Sequence, residues 1–474
     1  MAANAAPAGE NFLERFFKLR ELGTTIQTEI IAGLTTFMVM SYIIAVNPAT
    51  LTFNGELGVT QVATVTCLVA GVMSIIMGLY TNRAIGIAPG LGINAIVAYT
   101  LVGSMGLSFP EAMGVVFTEG VVITLLVLTG IRKYVLEMVP SILKKAISVG
   151  IGFFILLLGL TNAGVITYHS GDFTAESGTY TGRLDLTPLN TWPILVSMVG
   201  LIVIIVLMAR NVKAAIFWGI IAATVAAFVV PGNVTSMPSE PFKGPDFSLV
   251  GDISFGYWGK LGVLTSVLVV ISIMLSDFFD TMGTLIGVGS QAGYLDENGD
   301  FPDAEKPLLV DSVAAAAGGF VSASSATSYI ESTAGVSVGG RSGLVVVVTG
   351  LLFLLALPFV ALVEAIPGAA TAPALIVVGL LMMSVLAEDE GVDRHGQKRG
   401  IDFSNMEDSF PVALTMLVMP FTFNITYGIG AGFVSYVLIK VARGKAAQVN
   451  PAMWAIAGLF LLYFLRWTLF GAEF

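Results

Sequence analysis

The sequence predicts an all-α polytopic membrane protein of about fourteen transmembrane segments in two inverted seven-segment repeats. Three observations carry that expectation. Of 474 residues, 55% are hydrophobic and only 11% charged, with mean hydropathy +0.88 and 53 glycines, far from a soluble globular composition. Apolar runs long enough to cross a hydrocarbon core of roughly 30 Å recur along the chain. Two further runs, crowded with Gly, Ser, Pro and Thr, fall at matching places in the two halves, as half-length crossings do.

Plain spans are expected near 26–50, 59–79, 109–129, 146–164, 191–208, 213–230, 262–286, 306–323, 343–366 and 369–387, then 408–424, 425–441 and 451–470. Broken crossings are expected at 84–104 and 324–341, with short elements that face each other near the midplane. Seven crossings separate these two, an odd number, so the halves must run in opposite directions. The basic residues Arg15, Lys18, Arg20, Arg83, Arg132, Lys133, Lys144, Lys145, Arg210, Lys213, Arg341, Arg394, Lys398, Arg399, Lys440, Arg443 and Lys445 then fall on one side if the N-terminus is cytoplasmic. Loops 162–190 and 231–261 would be external. The fourteenth crossing ends near Lys440. A spanning 451–470 would break that parity, so this run is expected to lie against the bundle or at the interface. No hydrophobic signal core precedes residue 26, and the first helix is expected to direct insertion. The short tails favour a bacterial inner (plasma) membrane.

The formal net charge of −10 lies largely in loops and argues against a nucleic-acid partner. The run DENGD resembles a calcium loop, but Gly299 is fourth rather than sixth from Asp296, and no Glu stands at the twelfth place. A solvated turn is expected. Cys67 is the single cysteine and His169 and His395 the two histidines, both in expected loops. No metal site and no cofactor are therefore expected.

The informative residues are acids inside apolar runs: Asp277 and Asp280 in VISIMLSDFFDTMGTLIGVG, and Glu331 in SSATSYIESTAGVSVGG, with Lys306 the one Lys or Arg between Lys260 and Arg341. Acids at membrane depth mark transport paths. On a helix Asp277, Asp280 or Thr281, and Thr284 share one face. A charged carboxylate at a helix centre costs about 2.5–3.5 kcal/mol on insertion scales, and two on one face repel, so one is expected to hold a proton near neutral pH. An ionised carboxylate only accepts hydrogen bonds, which suits a neutral heterocycle presenting adjacent N–H groups. Gly90 and Gly92 let the backbone come close, and Asn94 adds a donor and an acceptor. Structural alternatives are a buried ion pair or cap for the three acids, a helix–helix hydrogen bond for Asn94, and a packing hydrogen bond for Glu119 in VVFTEGVV. Phe278, Phe279 and Tyr329 stand beside the acids as stacking candidates.

The blocks ERFFKLRELGTTIQTEIIAGLTTFMVMSYIIAVNP, APGLGINA, FTEG, DFFDTMGTLIGVGSQAGYLDENG and LLVDSVAAAAGGFVSASSATSYIESTAGVSVGGRSGL resemble the AzgA-like purine permeases of the nucleobase-ascorbate transporter superfamily, colinearly over nearly the whole chain. The loops 165–190 and 388–405 are idiosyncratic, and GLGINAIVAYT lacks an aromatic soon after Asn-Ala. The resemblance implies short antiparallel strands in segments 3 and 10. It also implies a core domain of segments 1–4 and 8–11 (26–130 and 261–366) and a gate domain of segments 5–7 and 12–14 (131–260 and 367–445). The cytoplasmic segment 1–25 and a hydrophobic helix within 446–474 flank them. It implies proton-coupled, elevator-like uptake of purines such as hypoxanthine, guanine or adenine, and a homodimer through the gate domain. The family's binding residues carry over onto Asn94, Asp277, Asp280 and Glu331. Substrate contacts are expected at Asn94, Asp277, Glu331, Phe278, Tyr329 and Gly92, and proton exchange at Asp280 or Glu331.

Another nucleobase, uracil or xanthine, is an alternative substrate. An anion exchanger of related architecture would favour a basic or neutral site, against which the three acids speak. An intramembrane aspartyl protease needs aspartates on two helices and a GxGD motif, which is absent. No GxxxxGK[ST] marks a nucleotide-driven pump. An enzyme is not expected.

Overall fold

The computed structural model describes residues 11–52, 54–130, 138–169, 173–174, 179–180, 183–295, 301–387 and 401–470. The calcium-like loop 296–300 and His395 lie outside these residues, as do Arg132, Lys133, Arg394, Lys398 and Arg399. Among the described residues, eight helices are long and apolar enough to cross a membrane by length and composition, with four shorter apolar helices beside them.

Segment 1 is Ile26–Met40 followed by Ile43–Leu51, and segment 2 is Val59–Thr81. Segments 4 to 7 are Phe109–Leu128, Ser141–Asn162, Trp192–Ala209 and Ala215–Val229. Segments 8 and 9 are Val263–Ala292 and Glu305–Phe320; segment 11 is Leu344–Ala356, continued as 3₁₀ helix by Leu357–Ala365. Segments 12 to 14 are Gly368–Met383, Met406–Thr422 and Ile425–Ala442, before the last helix Pro451–Phe470. Segment 8 runs six residues past its expected end, to stop at the left-handed Gly293 (φ 72°). Segment 1 bends where Ser41 Oγ donates to Met38 O at 3.0 Å, the kind of hydroxyl insertion that bends helices. The bend leaves Tyr42 between its two helices.

Segments 3 and 10 are interrupted, as expected. Segment 3 is strand β1 (Ile87–Pro89), helix Leu91–Ala95 and a π-helix Ile96–Ser104. Between segments 5 and 6, β2 (Ile166–His169) pairs with β5 (Arg183–Leu186), and β3 (Phe173–Thr174) with β4 (Thr179–Tyr180). Segment 10 is strand β6 (Ala326–Ser328), the 3₁₀ turn Ile330–Ser332 and helix Thr333–Ser337. β1 and β6 pair antiparallel, with Ile87 opposite Ser328, Ala88 opposite Thr327 and Pro89 opposite Ala326. Gly90 N–H donates to Ser325 O and Tyr329 N–H to Gly86 O, extending the ladder at both ends. Backbone groups that two half-helices leave open are thereby satisfied inside protein, the one place where non-helical chain survives at membrane depth.

Helix contacts repeat when seven is added to each segment number. Segment 2 packs on 11 and 9 on 4; segment 1 packs on 11 and 8 on 4. Segment 6 packs on 7 and 13 on 14; segment 12 packs on 6 and 5 on 13; and 5 and 12 pack on each other. Glycines make the closest crossings, as small residues do between membrane helices. A methyl added at Gly78 would meet Gly343 O, and one at Gly350 would meet Gly71 O. Gly152 and Gly379 stand in the same relation between segments 5 and 12.

At one end of the bundle, Asn82 Nδ2 donates to Phe17 O, Gly343 N–H donates to Asn82 Oδ1, and Lys213 Nζ donates to Ser337 Oγ. The basic stretches around residues 15–20, 83, 213 and 341 share that end. At the other end Thr60 Oγ1 donates to Glu364, Gln61 Nε2 to Ser248 and Thr235 Oγ1 to Ala365 O, closing the loop 231–261 over segments 2 and 11. The last helix lies antiparallel on segment 14: Gly430 and Phe433 meet Phe460, and Tyr427 meets Tyr463 and Phe464.

Candidate binding site

A cleft of about 80 Å³ opens where β1 and β6 meet segments 1, 8 and 12. The broken segments form one wall with Gly90, Leu91 and Gly92 from segment 3, and residues 327–331 from segment 10. Segment 8 contributes Asp280 and Thr284, segment 1 contributes Tyr42, and Val378 and Met382 of segment 12 face them as an apolar wall. A Cβ on Gly90 would come within 2.9 Å of Thr327 Cγ2, and one on Gly92 within 3.0 Å of Ile151 Cγ2. Glycine here is what lets the chain turn from strand to helix against its neighbours.

Two carboxyls reach the cleft. Glu331 Oε1 accepts from the Tyr42 hydroxyl at 2.5 Å, and Asp280 of segment 8 lines the same space. Tyr329 also lines it, and its hydroxyl is fixed to Pro89 O. Among the described residues, no Lys, Arg or His lines the cleft. Its ionisable groups are two acids and two phenols, so the cleft is rich in acceptors and poor in cations. Among the described residues, no cluster of His, Cys, Asp and Glu is arranged to hold a metal ion.

Behind this wall lies a second polar layer. Asp311 of segment 9 accepts from Ser328 N–H (2.6 Å), Ser328 Oγ (2.7 Å) and Thr281 Oγ1 (2.6 Å). It thereby pins β6 to segment 8. Asp277 Oδ2 accepts from Ser325 Oγ at 3.1 Å. Glu119 of segment 4 is fully buried, and neither of its oxygens meets a donor.

The candidate residues therefore divide. Gly92, Tyr329, Asp280 and Glu331 line the cleft; Asn94, Asp277 and Phe278 lie outside its lining. Asp277 and Asp280 do not share one face here: Asp280 and Thr284 point to the cleft, whereas Asp277 and Thr281 bond the layer behind it. Successive helix residues turn by about 100°, so i and i+3 sit about 60° apart, and packing against segments 9 and 10 decides which line faces in. Asn94 is buried with no partner on either side-chain polar atom, so it makes no helix–helix hydrogen bond. Phe278 is buried and packs edge-on against Phe279, over which Lys144 of segment 5 places its ammonium at 5.5 Å. Tyr42 and Asp311 escaped the sequence reading. A tyrosine in an apolar run gives no polar signal, and Asp311 follows the charged Glu305 and Lys306 closely enough to pass for a helix-end charge.

A helical bundle with two interrupted segments crossing as antiparallel strands, and acids gathered at the crossing, is a membrane transporter by architecture. The sequence model of the Permease family matches residues 27–399. The chain belongs to this family, that of the xanthine/uracil permeases, and is a multi-pass nucleobase permease rather than an enzyme. It is similar to the adenine permeases AdeQ (40% identity, 95% of each chain) and AdeP (38%, 96% of each chain) of Escherichia coli K12. It is also similar to the guanine/hypoxanthine permease PbuG of Bacillus subtilis 168, at 37% identity over 96% of this chain and 99% of that one. Among solved structures, the transmembrane domain of the cyanobacterial bicarbonate transporter BicA matches with TM-score 0.60, at 14% identity over 86% of this chain and 97% of that one. SLC26A9 matches with TM-score 0.61, at 11% identity over 88% of this chain and 66% of that one. These two show a shared fold.

Proposed function

We propose that this permease imports purine bases such as hypoxanthine, guanine or adenine together with protons. The observation that carries the reading is the pair Asp280 and Glu331 in one cleft that, among the described residues, no cation lines. Carboxylates accept and do not donate, so they select ligands with N–H edges, which purines offer and inorganic anions do not. The names of the relatives given above, adenine permeases and a guanine/hypoxanthine permease, point to the same substrates.

Glu331, held by Tyr42, is assigned to the ring N–H groups, and Gly92 allows close backbone approach. Tyr329, whose ring lines the cleft, is assigned to stacking. Asp280 or Glu331 exchanges the coupling proton. Asn94, Asp277 and Phe278 support this wall from behind.

Segments 1–4 with 8–11 act as a core domain and segments 5–7 with 12–14 as a gate. The glycine crossings named above fall within these sets, and the cleft lies between segments 1, 3, 8 and 10 of one and Val378 and Met382 of the other. Transport is an elevator-like shift of core against gate. The end rich in basic residues faces the cytoplasm, with the N-terminus there, in a bacterial inner membrane. Membrane lipid is the surrounding partner, and a homodimer through the gate domain is part of this reading.

The test is uptake of radiolabelled hypoxanthine into proteoliposomes under an imposed inward proton gradient, with adenine, guanine, uracil and sulfate as competitors. Gradient-driven uptake that purines inhibit and Glu331→Gln abolishes is expected. Uptake that uracil or sulfate blocks better would transfer the cleft to those substrates.

A further inference from the structure

Among the described residues, Glu119 is the one fully buried acid with neither oxygen bonded to a donor. Its position is fixed by backbone. Segments 4 and 9 cross with almost nothing between them, for a methyl at Gly120 would meet Ala316 and one at Gly319 would meet the backbone of Phe117. From that crossing Glu119 faces segment 8, which packs on segment 4, and its carboxyl neighbours that of Asp277. Asp277 is also fully buried, and its Oδ1 has no partner.

Two ionised carboxylates are acceptors only and cannot bond each other, whereas one proton held between them would give these orphaned oxygens the donor they lack. Among the described residues, no Lys, Arg or His is bonded to either carboxyl; on segment 5, which packs on segment 8, Lys144 lies over the Phe279 ring and Lys145 is buried. Of the charged and titratable groups on the neighbouring elements, Lys260 is bound to Glu111 at 3.1 Å and the Tyr257 hydroxyl to Thr118 at 2.8 Å. Tyr99 of segment 3 accepts from Asn162. Asp311 and Asp280 add only further acids. Ser325 ties the pair to the cleft: its hydroxyl donates to Asp277, and its carbonyl takes the Gly90 N–H.

We propose that Glu119 and Asp277 share one transport-coupled proton behind the substrate wall, and that Asp277 hands it to Asp280, one helical turn further on, at the cleft. The inference rests on the proton-coupled reading above and gives it an interior seat. In the step, the proton leaves Glu119, Asp277 passes a proton on to Asp280, and Glu119 is left as the carboxylate. The next external proton restores it. Over a cycle, one proton enters with the base and leaves to the other side.

Glu119→Gln keeps the size and offers Asp277 an amide donor in place of the proton. In proteoliposomes its gradient-driven accumulation of hypoxanthine is expected to fall by about tenfold or more. Exchange of labelled for unlabelled hypoxanthine without a gradient stays within about twofold of wild type, and the pH profile of uptake flattens. Glu119→Asp retains accumulation with a displaced pH profile. Wild-type accumulation and an unchanged pH profile in Glu119→Gln would overturn the inference and leave the proton-coupled reading standing. Should Glu119→Gln fail to reach the membrane, an undisplaced profile in Glu119→Asp would overturn it in the same way. Wild-type protein that exchanges hypoxanthine but ignores the gradient would overturn the proton-coupled reading, and this inference with it.

Discussion

Glu407 and Glu331 are both carboxyls withdrawn from water, and the fold treats them in opposite ways. Glu407, just ahead of the apolar run 408–424, is bound by Lys445 Nζ (2.5 Å), Lys440 Nζ (2.9 Å) and Arg443 Nη1 (3.1 Å). These cations hold its carboxyl down at about 2, with the Lys445 bond as the largest cause and Lys440 next. Glu331 has a tyrosine hydroxyl for a partner and another acid across the cleft. A cation fixes a carboxylate in one charge state, which suits a structural joint between segments 13 and 14. A hydroxyl positions a carboxyl without fixing its charge, which suits a group that must take up and release a ligand or a proton.

The largest test of this contrast is Glu331→Gln. Losing a charged acceptor should lower hypoxanthine uptake by about 100-fold, read as initial rate in proteoliposomes. Next comes Asp311→Asn. With its charged acceptor gone, the donors from Ser328 and Thr281 lose their shared partner. Stability should fall by about 2–3 kcal/mol, measured as a lower unfolding midpoint in detergent, with uptake falling alongside. Tyr42→Phe leaves Glu331 in place but unheld. Its KM should rise about fivefold, as expected for one hydrogen bond of ~1 kcal/mol, with kcat moved less.

The smallest effect belongs to Glu407→Gln. Lys445 and Arg443 are about half exposed, so solvent screening keeps the loss to about 1 kcal/mol or less, and uptake stays near wild type. Its pH dependence has a definite sign. The folded carboxyl titrates below the ordinary value of 4.5, so its contribution is complete above 4.5 and disappears as pH falls towards about 2. The stability gap between wild type and Glu407→Gln should close over that window and stay constant above it. A gap that widened with acid would break the contrast.

How much of this was legible in the sequence depends on distance along the chain. Acids inside apolar runs announce themselves, so Asp280 and Glu331 were visible, as were the Gly- and Ser-rich interruptions that became β1 and β6. The partners were not. Tyr42 meets Glu331 across 289 positions, and Ser328 meets Asp311 across 17; no periodicity encodes such pairings. Helical spacing put Asp277 and Asp280 on one face because three residues fall short of a full turn by only about 60°. The bonds that hold Thr281 to Asp311 and Asp277 to Ser325 separate the two lines, and they are a property of the assembled bundle.

The last helix was expected against the bundle or at the interface. Laid antiparallel along segment 14, with Phe460 beside Phe433 and Tyr463 beside Tyr427, it retraces the path that segment took. Residue 470 therefore emerges level with Ile425, on the face of the bundle away from Lys440 and Arg443. The hairpin carries the chain back along the length of segment 14, so labels attached at residues 445 and 470 would stand at opposite ends of that helix pair.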